Sequence, residues 1–157
     1  MNLVATEILD LLETNLTTTF KQYYDGEVEL PPRHLLPAIM LKGNSTHQYA
    51  KGTAKDQADY SFTLRIVLDA VEYFDESGTG AILKAQQAIR ELMEGRDATG
   101  VAKSTSVLGV LRRNIRGENY LFNNDFTISY SKLERGKFFY YTAEMDFTVT
   151  TDLVLRQ

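Results

Sequence analysis

Cysteine is absent from the 157 residues. Its absence excludes disulfides, thiol nucleophiles and cysteine-ligated metals together, and is compatible with a reducing compartment. A basic excess is missing too. Seventeen Lys and Arg stand against 21 Asp and Glu, a formal charge of −4, which argues against a chain whose main work is gripping nucleic acid. No apolar run approaches the roughly 18 residues a membrane-spanning helix requires. The stretch MNLVATEILDLLETN has no basic segment and carries Glu7, Asp10 and Glu13, so it does not read as a secretory signal. Without such a signal, the sequons at Asn15 and Asn44 carry no weight. The two histidines, His34 in a proline-rich linker and His47 in a polar stretch, have no second ligand at metal-binding spacing. Both read as solvated surface residues.

What is present is a core. Hydrophobic residues make up 43% of the chain, enough for a globular rather than a disordered protein. No repeat, low-complexity tract or composition break divides it, so residues 1–157 read as one domain. The strongest pattern is Tyr60 to Tyr73, YSFTLRIVLDAVEY. Tyr60, Phe62, Leu64, Ile66, Leu68 and Ala70 alternate with Ser61, Thr63, Arg65, Val67, Asp69 and Val71, as in a strand with one face on a core. Lys137 to Leu155 repeats the pattern, with Phe139, Tyr141, Ala143, Met145, Phe147 and Val149 on one face.

Helices flank these strands. Residues 3–16 put Val4, Ile8, Leu11, Leu12 and Leu16 on one stripe, and Ala81–Met93 does the same with Ile82, Ala85, Ile89, Leu92 and Met93. A third, shorter helix, capped by Ser104 or Thr105 and closed by Gly117, turns Val107, Leu108, Leu111 and Ile115 inward. Its Arg112, Arg113 and Arg116 face out. Phe20–Tyr24 reads as a short strand or an extended turn ending at Asp25-Gly26, Pro37–Gly43 as a strand opening on proline, and Phe126–Ser131 as a strand joined to the last one by a hairpin turn at Glu134–Gly136. Tyr73–Gly80 reads as a turn. Gly43–Asp59 reads as a long exposed loop or a partly ordered arm, and Gly95–Lys103 as a flexible loop. The order α, β, β, α, α, β, β predicts an α+β fold: a mostly antiparallel sheet covered on one face by helices.

No catalytic constellation emerges. Gly95 to Ser104 has a phosphate loop's glycine spacing, but Val101 and Ala102 separate Gly100 from Lys103, and the stretch leaves a helix. The carboxylates Asp69, Glu72, Asp75 and Glu76, and the pair Glu144 and Asp146, fall on turns and wet faces. No serine has a nucleophile-elbow context. The expectation is therefore no enzyme and no cofactor. Two features point to assembly. Arg112, Arg113 and Arg116 concentrate positive charge, for phosphates or for acids of this chain or a neighbouring copy; the acidic whole favours acids. Phe138, Phe139, Tyr140 and Tyr141 place rings on both faces of one strand, to be covered by a partner or by the chain itself.

The sequence of segments resembles the tail terminator (tail-completion) proteins of long-tailed bacteriophages. An amphipathic helix leads into the proline-flanked strand LLPAIMLKG. The alternating strand YSFTLRIVLDAVEY runs directly into the helix AILKAQQAIRELM. SVLGVLRRNI then precedes the paired strands FTISYS and FFYYTAEMDFTVTTDLVL. The resemblance implies a virion protein of the tail or neck, assembled in the host cytoplasm. It implies a ring, hexameric in that family, on the last tail-tube ring, which stops tube polymerisation and docks the filled head. Its partners would be the tube protein and a head-closure protein, with DNA passing through the lumen and no membrane involved. On that reading Arg112, Arg113, Arg116, Phe138 and Tyr140 serve ring contacts, and His47, Tyr49, Lys51, Lys55, Arg96, Asp97 and Lys103 lie on loops meeting tube, head or lumen. The alternatives are another neck connector, a tail tube subunit or, from a different class, a small-molecule enzyme or binding module.

Overall fold

The computed structural model describes residues 2–50, 55–73, 81–136 and 138–154. Six strands, β1 (Gln22–Asp25), β2 (Ala38–Ala50), β3 (Lys55–Asp69), β4 (Leu121–Phe122), β5 (Thr127–Arg135) and β6 (Phe138–Val154), form one sheet. They are ordered β1-β2-β3-β6-β4, with β5 also on β6. Among the described strands only β1 and β2 pair in parallel. Three helices, α1 (Asn2–Asn15), α2 (Ala81–Glu94) and α3 (Val107–Arg113), cover one face. The fold is α+β with the sheet dominant.

The alternation in β3 does what it predicts. Tyr60, Phe62, Leu64, Ile66 and Leu68 are buried on the helix side and meet Val149, Phe147, Met145, Ala143 and Tyr141 of β6 in antiparallel register. Phe62 and Phe147 stack with ring centroids 5.7 Å apart, one of the cross-strand pairs that stabilise a sheet. Val4, Ile8 and Leu12 of α1, Ala85, Ile89 and Met93 of α2, and Val107, Leu108, Val110 and Leu111 of α3 close the core from above. Ser106, rather than Ser104 or Thr105, caps α3: its hydroxyl accepts from the Gly109 N–H at 3.1 Å. β3 ends at Asp69 instead of running to Tyr73. The Asp69 carboxylate accepts from the Val71 N–H at 3.0 Å, a side-chain turn that tips Ala70–Tyr73 into a 3-10 segment. Residues 74–80 of the expected turn lie outside the described residues.

Two segments depart further from expectation. Within Gly43–Asp59, the described residues Gly43–Ala50 and Lys55–Asp59 are strand and not loop. β2 continues to Ala50 and β3 starts at Lys55, paired from Lys42↔Thr63 to Ala50↔Asp56 around a bulge at Gly43/Ser45. Every residue of β2 from Lys42 to Ala50 is exposed, so the stretch has no apolar period to reveal it; backbone pairing alone makes it a strand. β5 also runs to Arg135 and is followed by Gly136 at φ +61°, where glycine carries no steric cost.

The face away from the helices bears a second, smaller core. Residues 24–36 fold over it, so that Tyr24, Val28 and Leu30 pack toward Leu36, Ala38, Met40, Val67 and Tyr140. Tyr140 is 3% exposed. Its assignment to a subunit interface is thereby corrected: its own chain covers the ring. Phe138 is half-buried, with the Arg33 guanidinium 4.3 Å above its ring. Arg33 also bonds Asp69 at 2.8 Å, and Asp69, expected on a wet turn, is 2% exposed. Removing one partner of a buried ion pair strands the other charge. Because Arg33 is half-exposed, Arg33→Met is expected to cost about 1–3 kcal/mol in urea denaturation. Adding Asp69→Asn should recover most of that loss.

Candidate assembly surfaces

The connection from α2 to α3 is built by one aspartate. The Asp97 carboxylate accepts from the Thr99 N–H at 2.8 Å, the Thr99 hydroxyl at 2.6 Å and the Val101 N–H at 3.1 Å. These bonds, the Thr99 hydroxyl first, hold its pKa below the usual carboxylate range. Arg96 pairs with Ala102 as an antiparallel bridge, and its Nη1 donates to the Gly100 carbonyl at 2.9 Å. Lys103 Nζ reaches Glu91 at 2.5 Å, and the Lys103 N–H closes on the Gly95 carbonyl at 2.8 Å. The stretch expected to be a flexible loop is a cross-braced hairpin whose carboxylate replaces the missing backbone partners.

That hairpin delivers Arg96 to α3. Arg96, Arg112 and Arg113 line one shallow pocket of about 380 Å³ with Gly100, Val101 and Ala102. Arg113 Nη1 donates to the Gly109 carbonyl at 3.1 Å. Arg112 makes no hydrogen bond or ion pair among the described residues. Arg116 does not join them. It lies beyond the end of α3, bridged to Leu121 and lining a separate groove with Glu7 and Asp10 of α1. The expected three-arginine helix face is therefore a two-arginine face completed by Arg96, sixteen positions upstream of Arg112.

The opposite face of the sheet is acidic in its open half. Pairing places Asp59 of β3 beside Thr150 of β6, and Thr63 beside Asp146. Asp59 accepts from the Thr150 hydroxyl at 2.7 Å, Asp146 from the Thr63 hydroxyl at 2.5 Å and Asp152 from Gln57 at 2.8 Å. His47 and Tyr49 lie at the β2 edge of this face, their rings 5.6 Å apart. The Tyr49 hydroxyl stands 3.5 Å from Asp59. Lys51 lies outside the described residues. Lys55 opens β3, and its side chain is likewise outside the description. The alternation of Glu144 and Asp146 was visible in the sequence, but Asp59 was hidden in a stretch read as loop.

One groove approaches a ligand site. It runs between α2 and β5, about 450 Å³, lined by Gln86, Ile89, Arg90, Tyr130, Lys132 and Tyr141 among others. The Tyr130 hydroxyl is buried without a hydrogen-bond partner among the described residues. Burial first, then the nearby Glu94 carboxylate, push its pKa above the ordinary phenol range. Among the described residues no three His, Asp or Glu side chains gather to hold a metal ion, and no helix is long and apolar enough to cross a membrane. No protein-family model matches the chain, and no curated protein shows significant similarity to it.

Proposed function

We propose that this chain is a structural assembly subunit: the tail terminator of a long-tailed bacteriophage, which closes the head-proximal end of the tail tube as a ring and offers the head its docking face. The observation that carries the reading is β2. β1 pairs only with Ala38–Leu41, so from Lys42 to Ala50 the outer edge of β2 is unpaired among the described strands, and all nine of these residues are exposed. An open strand edge is a template for another chain, and monomeric proteins usually blunt such edges. A subunit that must join neighbours has reason to keep it open. The resemblance in segment order supports the specific assignment. In that ring the net charge of −4 leaves passing DNA without a strong electrostatic hold.

The test is electron microscopy of particles made when this reading frame is disabled in its parent genome. Tails of runaway length, unattached to filled heads, are the expected result. Tails of normal length beside leaking heads would move the protein to another neck position, and intact virions would sink the connector reading.

A further inference from the structure

We propose that the arginine patch of one copy docks on the open acidic face of a second copy, in a head-to-tail contact that repeats from subunit to subunit. The contact rests on the reading of the chain as a self-assembling subunit and adds the surfaces that join. Its two sides are Arg96, Arg112 and Arg113, and Asp59, Asp146 and Asp152.

The patch belongs to the helix layer. α3 turns Val107, Leu108, Val110 and Leu111 into the core, which leaves Arg112 and Arg113 to solvent, and the braced hairpin adds Arg96. Counting Asp97 against the three arginines, the patch carries a net charge of +2 on a chain of −4. Val101 sits among them, 55% exposed, an apolar centre within a charged rim, which is the composition of an interface. Backbone carbonyls hold the Arg96 and Arg113 side chains in place, so less freedom is lost when they meet a partner.

The acids belong to the other layer. Strand alternation sends Asp59, Asp146 and Asp152 away from the helices, and the neutral hydroxyls of Thr150 and Thr63 donate to Asp59 and Asp146. Asp59 and Asp146 form no ion pair among the described residues. Guanidinium groups match carboxylates with paired, charge-assisted hydrogen bonds. Because the two surfaces lie on opposite layers of one chain, the contact uses a different patch on each subunit. Each docking leaves one basic and one acidic surface free. Such heterologous contacts build rings when the rotation closes and filaments when it does not. DNA phosphate is the rival occupant of the arginines, and it gives the acidic face no role.

Sedimentation velocity on the full chain at low and high salt tests the contact. Wild type is expected to form species larger than a dimer at low ionic strength and to dissociate as salt rises. Arg112→Glu with Arg113→Glu, and separately Asp146→Lys with Asp152→Lys, should each weaken association by about 100-fold or more, with circular dichroism and melting unchanged. All four changes together should restore it. A monomeric wild type at every salt concentration, a closed dimer, or a folded fourfold variant that stays monomeric would overturn the contact. So would a short DNA duplex bound by a monomeric wild type and released by the arginine variant. Runaway tails from a chain that never self-associates would overturn the contact and leave the terminator reading standing. Self-association beside normal tails would do the reverse.

Discussion

Phe62→Ala is expected to remove about 3–5 kcal/mol of stability, read as a lower urea midpoint and a melting temperature lower by roughly 6–20 °C. Phe62 is fully buried near the centre of β3. It stacks on Phe147 and stands edge-on to Tyr60. Phe147 in turn touches Phe122 and Phe126, so one truncation opens a void in a connected set of rings. A domain has only about 5–15 kcal/mol to lose. The control is next door. Ser61→Ala, one residue along and on the opposite face, should change stability by less than about 0.5 kcal/mol. Side chains alternate strictly along a strand, so a larger loss at Ser61 than at Phe62 would mean a register slipped by one residue.

Gly109→Ala is expected to destabilise by about 1–3 kcal/mol, against the general rule that alanine improves a helix. That rule favours alanine by roughly 0.5–1 kcal/mol inside a helix. Here a methyl group would stand 1.8 Å from the Lys103 carbonyl oxygen and 2.6 Å from its carbon, far inside contact distance. The carbonyl has little room to yield, because it accepts from both the Ser106 N–H at 3.0 Å and the Ser106 hydroxyl at 2.8 Å. Relief requires α3 and the preceding hairpin to separate, which moves Arg112 and Arg113 away from Arg96. Gly109→Ala should therefore weaken self-association even where the chain remains folded. Urea denaturation and sedimentation on the same variant read the two effects separately. A more stable protein with unchanged association would show that α3 does not press on Lys103.

Much of the architecture is determined locally. The apolar alternation of β3 and β6 decides which face meets the core, because a strand's side chains repeat every two residues whatever their partners. The stripes of α1 and α2 decide which side of each helix goes down, for the same reason at a period of 3.6. From those patterns the α+β class and the helix-covered face could be read directly. Where a segment is wet on both faces, the pattern is silent. Asn44–Ala50 is held as a strand by hydrogen bonds to β3, which any sequence of tolerant residues can make, so it read as loop. Asp97 is similar: three donors two to four residues downstream converge on its carboxylate, an arrangement that carries no hydrophobic period.

The remaining features needed the folded chain. Tyr140 has the same alternation as an exposed residue, and only the return of residues 24–36 across the sheet buries it. Arg33 and Asp69 are thirty-six positions apart, and their pairing turns a carboxylate expected in water into an internal anchor. Arg96 joins Arg112 and Arg113 because the hairpin folds back, while Arg116, closer in sequence, is carried off by the chain's turn toward β4. Sequence by itself determined the periodic surfaces, since those depend on backbone geometry within a few residues. Which charges share a surface was decided by tertiary structure alone, because electrostatic contact depends on distance in space and the chain reverses direction between them.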